Sequence, residues 1–180
     1  MDNIGNRVMV IGSPGSGKST FSRKLAKITG FPLIHLDKEF WNYGWIETPK
    51  EEWVERQSRL ITGDNWIVDG NYGRTMDIRL KKADTIICFK LHRVICLMGY
   101  FKRVITNLNK VRADMPEGCP EKFDIEFINY IWKFPETSGQ RNLDKLQKSK
   151  DKQVIVFKSR RQANKYITEL QQLFIGSSEI

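Results

Sequence analysis

One stretch, Gly12-Ser13-Pro14-Gly15-Ser16-Gly17-Lys18-Ser19, constrains this chain more than any other. It satisfies GxxxxGK[ST] in full, with the apolar run Arg7 to Ile11 before it and helical spacing after it, which is the context the motif requires. Four fixed positions of this kind recur by chance in only about one such sequence in a hundred. The residue types follow from what a phosphate chain demands. Glycines let the backbone curl closely enough for successive N–H groups, and the start of the helix, to point at phosphate oxygens. Lys18 adds a point charge between the β- and γ-phosphates, and the Ser19 hydroxyl is a ligand type for Mg2+. Gly12, Ser13, Pro14, Gly15, Ser16, Gly17, Lys18, Ser19 and Thr20 are therefore the expected contact set for a nucleoside triphosphate, with ATP and Mg2+ as cofactors.

Such a loop needs a parallel sheet behind it. Short apolar runs rich in β-branched residues at Arg7 to Ile11, Leu33 to Leu36, Trp66 to Asp69, Thr85 to Lys90 and Val154 to Phe157 read as strands, with stretches of helical period between them. Strands alternating with helices make an α/β fold, its parallel sheet covered on both faces. Helices are expected over residues 17 to 29, stopped by Gly30 and Pro32, and after Thr48-Pro49-Lys50-Glu51, where Thr48 reads as the N-cap. A long helix is expected over 93 to 112, then an exposed, mobile loop from Ala113 to Lys122, then helices at 124 to 134, 138 to 149 and 159 to 174. The 180 residues make one domain, with a core of about 1–112 and 137–180 and a lid insert of about 113–136.

Charge narrows the partners. Lys and Arg number 30 against 21 Asp and Glu, a net charge of +9, so the substrate or partner is expected to be anionic. Apolar runs such as Val94 to Met98 are far too short to span a bilayer, and Met1, Asp2 and Asn3 carry no basic leader segment. No membrane partner and a cytoplasmic location are the expectation. Cys88, Cys96 and Cys119 lack CxxC spacing, and His35 and His92 stand far from them, which argues against a zinc site or disulfide framework.

Two carboxylates fall where strands end. Asp37 follows Leu33 to Leu36 and Asp69 closes Trp66 to Asp69, so both project beyond carboxyl strand ends, where open α/β sheets bind ligands. One is placed to hold Mg2+ or its waters and the other to take a proton from a hydroxyl nucleophile; spacing alone does not say which. The working assignment gives the base to Asp37 and the metal to Asp69 together with Ser19. Phe40-Trp41-Asn42-Tyr43-Gly44-Trp45 holds four aromatics in six residues, either an acceptor-stacking face, with Trp41 its first candidate, or a satellite apolar cluster. His35 reads as a satisfied core or edge residue.

These features resemble the adenylate kinase and shikimate kinase group over most of the chain. More narrowly, His35-Leu36-Asp37, Phe40-Trp41, Gly44-Trp45, Asp69-Gly70-Asn71-Tyr72, Ala83-Asp84-Thr85 and Asp114-Met115 with Gly118-Cys119-Pro120-Glu121 resemble the proteins called DNA topology modulation proteins. The resemblance implies a three-layer P-loop fold with five parallel strands in the order 2-3-1-4-5, an acceptor region after the second strand, and a lid. Carried over by position, it implies that Arg74 touches the acceptor, that Arg103 reaches the donor phosphates from the helix entering the lid, and that Arg141 returns from the insert as a lid arginine. The arginine expected four residues before Arg103 is replaced by Gly99. The chain therefore reads as an ATP-dependent, Mg2+-dependent phosphotransferase for a small-molecule acceptor, with Lys18, Asp37, Arg103 and Arg141 as its catalytic candidates and Asp37, Trp41, Asp69 and Arg74 as acceptor contacts. The alternative is an ATP-regulated DNA-binding protein. No DNA-reading motif accompanies the charge, and Lys145, Lys148, Lys150 and Lys152 ring a helix end as a solvated face, so duplex DNA is expected to bind weakly and without sequence preference. A bare nucleotide switch lacks a glutamine between Asn71 and Arg74 to orient water.

Overall fold

The computed structural model describes residues 4–149 and 151–176; Met1 to Asn3 and Lys150 lie outside the described residues. The chain runs β1 (Arg7–Gly12), α1 (Lys18–Thr29), β2 (Leu33–His35), α2 (Leu36–Phe40), β3 (Trp41–Asn42), β4 (Ile46–Glu47), α3 (Lys50–Leu60), β5 (Trp66–Asp69) and α4 (Met76–Lys82). It continues through β6 (Thr85–Phe89), α5 (Arg93–Asn107), α6 (Ile125–Lys133), a 3-10 turn (Phe134–Glu136), α7 (Ser138–Lys148), β7 (Gln153–Phe157) and α8 (Arg160–Gly176). Five strands form one parallel sheet in the order β2-β5-β1-β6-β7, and β3 and β4 pair as a separate antiparallel hairpin. Counting only the five sheet strands, the order is 2-3-1-4-5.

β1 is an unbroken apolar run because both of its faces are covered. Val8 and Val10 join a cluster with Leu25 of α1, Tyr100 of α5 and Leu170 of α8, while Met9 and Ile11 point the other way, to Trp53 of α3 and Met76 of α4. α1 stops at Gly30, whose φ of 72° lets its N–H reach back to the Ala26 carbonyl at 2.9 Å. No helix among the described residues is long and apolar enough to cross a membrane.

Three local expectations are corrected. Thr48 is not an N-cap: α3 starts at Lys50, with Pro49 at the capping position. The β3–β4 hairpin turns the chain so that the Thr48 N–H and hydroxyl both donate to the Phe40 carbonyl. The helix expected to reach 112 ends at Asn107, because Leu108 leaves helical geometry and Asn109 takes a φ of 58°. That reversal brings Asn109 and Lys110 against Glu121, with hydrogen bonds of 3.0 and 2.9 Å. The segment 113 to 122 is consequently not an exposed loop: Asp114, Met115, Cys119 and Glu121 are all buried. It docks on the hairpin, Cys119 Sγ donating to the Asn42 carbonyl at 3.2 Å and the Gly44 N–H to the Gly118 carbonyl at 3.2 Å.

Candidate active site

β1 ends at Gly12 and α1 begins at Lys18, so the glycine-rich loop crosses the carboxyl edge of the sheet. It lies directly on the backbone of α5. A Cβ on Gly15 would stand 2.1 Å from the Cys96 carbonyl oxygen, and one on Gly99 would stand 2.1 Å from the Gly15 carbonyl oxygen. Gly99 thus has a steric cause: no side chain fits between α5 and the loop. Asn71, just past β5, locks the loop's entrance, since its Oδ1 accepts from the Gly12 N–H at 2.9 Å and its Nδ2 donates to the Gly12 carbonyl at 2.7 Å. Lys18 Nζ donates to the Ser13 carbonyl at 3.0 Å. Burial lowers the Lys18 pKa below its ordinary value, against the opposing pull of Asp69 and Asp37.

The two carboxylates differ in setting. Asp69 is buried at the end of β5, with His35 Nδ1 3.0 Å from its Oδ2. Burial works to raise its pKa, but the His35 hydrogen bond, the Lys18 charge and the Ser19 hydroxyl outweigh it and hold the carboxyl below its usual range. Its other oxygen, Oδ1, is buried with no protein hydrogen-bond partner. An anionic carboxylate with an unused oxygen beside the Ser19 hydroxyl fits a hydrated Mg2+ held by phosphates. No group of three or more His, Cys, Asp or Glu among the described residues could hold a metal alone, so such an ion would depend on the nucleotide.

Asp37 sits in the first turn of α2, open to the cleft, with Tyr72 Oη donating to its Oδ1 at 2.7 Å. Desolvation within the cleft pushes its carboxyl above the usual range; Tyr72 opposes the push and the Asp69 charge adds to it. Water entering from the open side moderates the effect. Tyr72, whose phenol burial and Asp37 push upward, stays a proton donor in this pair. Behind it lies Arg79, fully buried, donating to the carbonyls of Gly70, Asn71 and Tyr72 at 3.0, 2.6 and 3.3 Å. Burial lowers the Arg79 pKa to about 9. One guanidinium therefore fixes the loop whose side chains reach both the phosphate loop and Asp37.

Cations close the other wall. Arg103 donates through Nε and Nη2 to Glu121 Oε1 at 3.1 and 3.0 Å. Arg112 lies 2.8 Å from Glu121 Oε2 and 3.2 Å from Asp114 Oδ2, so two arginines share one buried carboxylate. Arg74 is exposed after β5 and makes no ion pair among the described residues, and Arg141 on α7 donates to Ser138 Oγ at 3.2 Å. The aromatic run stays one cluster: Trp41 packs edge-on to both Phe40 and Trp45, Phe40 packs edge-on to Trp53, and all four rings line the opening. A cleft of about 1760 Å³ gathers residues 14 to 20 with Asp37, Trp41, Asp69, Arg74, Arg103 and Arg141. Gly12 and Ser13 are buried behind it.

Sequence reasoning missed the structural parts played by Asn71, Arg79, Arg112, Glu121 and Arg160. Arg160 had a usable signal, a cation just past the carboxyl end of the last strand. Arg79 and Glu121 carry none, because their partners are backbone carbonyls or arginines set by remote chain reversals.

The sequence matches no protein-family model and no curated protein. Among solved structures, a gluconokinase from Sinorhizobium meliloti 1021 aligns over 99% of this chain and 96% of its own, with a TM-score of 0.56 and 11% identity. A sugar kinase from Janibacter sp. HTCC2649 aligns over 98% and 95% at a TM-score of 0.47 and 14% identity. The first of these likenesses, with the strand order and the glycine-rich loop, identifies the architecture as the P-loop kinase-like α/β fold.

Proposed function

We propose that the protein is a Mg2+-dependent phosphotransferase that moves the γ-phosphate of ATP to a hydroxyl of a small acceptor. The observation that carries this reading is the convergence on Lys18 of two unlike carboxylates, an ionised Asp69 with a free oxygen and a cleft-facing Asp37 held by Tyr72. The loop N–H groups and Lys18 hold the phosphates. Ser19 and, through water, Asp69 would hold Mg2+, which when bound neutralises charge on the β- and γ-phosphates. Asp37 accepts the proton as the acceptor oxygen bonds to phosphorus and the bond to the leaving ADP oxygen breaks. Arg103 and Arg141 clamp the transferring group, the insert of about 113–136 acts as the lid, and Trp41 and Arg74 receive the acceptor.

Membership of the DNA topology modulation proteins is part of this proposal, resting on the sequence strings quoted above. The DNA-binding reading gains no structural support: among the described residues of that lysine face, Lys145 pairs with Asp77 at 2.7 Å and Lys152 with Asp151 at 3.0 Å, which leaves Lys148 as the one lysine there without an ion pair. Screening purified protein with Mg2+ and ATP against nucleosides, nucleotides, sugars and sugar acids tests the proposal. An acceptor-dependent release of ADP is expected, and Asp37→Asn should slow it by roughly 10² to 10⁴ with little change in ATP affinity. A near-normal rate in that variant at saturating acceptor removes Asp37 as the base.

A further inference from the structure

α5 is enclosed on three of its sides. Cys96, Tyr100 and Val104 enter the core, and Arg103 turns to Glu121 of the insert. The Gly99 flank lies on the phosphate loop, where Arg160 Nη2 of α8 donates to the Gly15 carbonyl at 2.7 Å and to the Ile95 carbonyl at 3.3 Å. The fourth side is bare, and it is apolar. Val94, Met98, Phe101 and Ile105 stand on it, with Leu108 just past the helix end; Met98 is 66% exposed and Ile105 79%. Two residues of the insert extend the strip. Phe123 stacks on Phe101 with ring centroids 6.4 Å apart, and Ile125, which opens α6, is 73% exposed. None of these seven side chains lines the cleft, so the strip is separate from the candidate active site.

We propose that this strip is where a second copy of the chain docks, by a two-fold pairing of α5 with α5. Three features select that occupant. The steps from Val94 to Met98, Phe101, Ile105 and Leu108 alternate between four residues and three, the spacing at which one helix lays an apolar seam against another. The seven side chains together expose on the order of 700 Å², close to the roughly 800 Å² that each partner gives to a stable interface. The strip holds no charge, so it matches itself across a two-fold axis without an opposite charge to meet. An acidic partner or a lipid surface would call for a row of free cations instead. Of the three cations on α5, Arg93 pairs with Glu136 and Arg103 with Glu121, which leaves Lys102. Pairing braces the back of the helix on which the phosphate loop rests, and it leaves the cleft open.

Sedimentation velocity on the full chain over a range of concentrations tests the pairing. Native protein should be dimeric at micromolar concentration. Because each copy carries +9 while the seam is apolar, the dimer should tighten as salt rises from about 0.05 to 0.5 M. Met98→Glu and Ile105→Glu each put two like charges into the seam, one from each copy, and should weaken the dimer at least ~100-fold. Both side chains are exposed in the single chain, so each variant should melt within about 2 °C of native protein under conditions where both are monomeric. Ile46→Glu puts the same charge on a comparably exposed isoleucine of the β3–β4 hairpin and should leave the dimer intact. Native protein that stays monomeric, a dimer that survives both seam variants, or one that Ile46→Glu also breaks would overturn the proposal. So would a monomer that binds phosphatidylserine vesicles through Met98 and Ile105 and lets go as salt rises, since the strip would then face a lipid surface.

Discussion

The two walls of the cleft are held by different physics. On the phosphate-loop wall, backbone meets backbone: Gly15 and Gly99 bring the loop onto α5 with no room for a β-carbon, and Asn71 ties down both polar groups of Gly12. On the insert wall, charge meets charge, with Arg103 and Arg112 sharing Glu121. The first arrangement cannot shift without losing close packing, so it suits a site that must be ready before the ligand arrives. The second is a balance that another anion can tip. On the proposed reading, a triphosphate entering the cleft would compete with Glu121 for Arg103, and the insert is where ligand-dependent change is expected.

The largest effect tests the rigid wall. Lys18→Ala removes the buried ammonium that the loop itself supplies; transfer should fall at least ~10³-fold and triphosphate affinity should drop with it. Calorimetry and coupled ADP release measure both, and retention of normal turnover would mean that the loop backbone alone suffices. The next effect tests the charged wall. Glu121→Gln leaves Arg103 without a carboxylate and Arg112 with Asp114 alone, which should cost roughly 2–4 kcal/mol in urea unfolding. The same change frees Arg103, so triphosphate affinity should rise as stability falls. If affinity falls in step with stability, the insert wall is a scaffold and the contrast between the walls disappears.

The same contrast explains what could be read from sequence. The loop is eight contiguous residues, and β1, β5 and β6 are buried on both faces, so composition alone marks them. Thr48 misled because its local pattern is that of a cap, while the hairpin just before it brings up the Phe40 carbonyl, eight residues earlier, to claim its hydroxyl. α2, α4 and the hairpin are too short for periodicity to show. The Glu121 network depends on the turn at Asn109; asparagine suits that left-handed geometry, but nothing local says that the turn brings Glu121 alongside, and the segment's prolines and glycine read as exposure where the fold makes burial. Gly99 was visible as a missing arginine, yet its reason lies in Gly15 and Arg160, far away in sequence.

The smallest expected effect concerns Asp37, which stands between the two walls. Its folded pKa lies above the ordinary carboxyl value, chiefly through desolvation, with Asp69 adding to the push while Tyr72, Lys18 and Arg112 oppose it. A raised carboxyl pKa contributes stability that is present below the unfolded value and is lost as pH rises through the folded one. At neutral pH the ionised carboxylate is therefore a net cost to the fold, and Asp37→Asn removes that cost while its amide oxygen can still accept from Tyr72. The variant should melt about 1–2 °C above native protein at pH 7, a small gain because water in the open cleft screens the charge. The gain should vanish as the pH falls below the ordinary carboxyl range, where native Asp37 is protonated in both states. Melting curves at several pH values check this against the loss of rate in the same variant. A lower melting temperature at pH 7 would mean that Lys18 and Arg112 already compensate the charge, and that the two walls balance at Asp37 instead of leaving it poised to accept a proton.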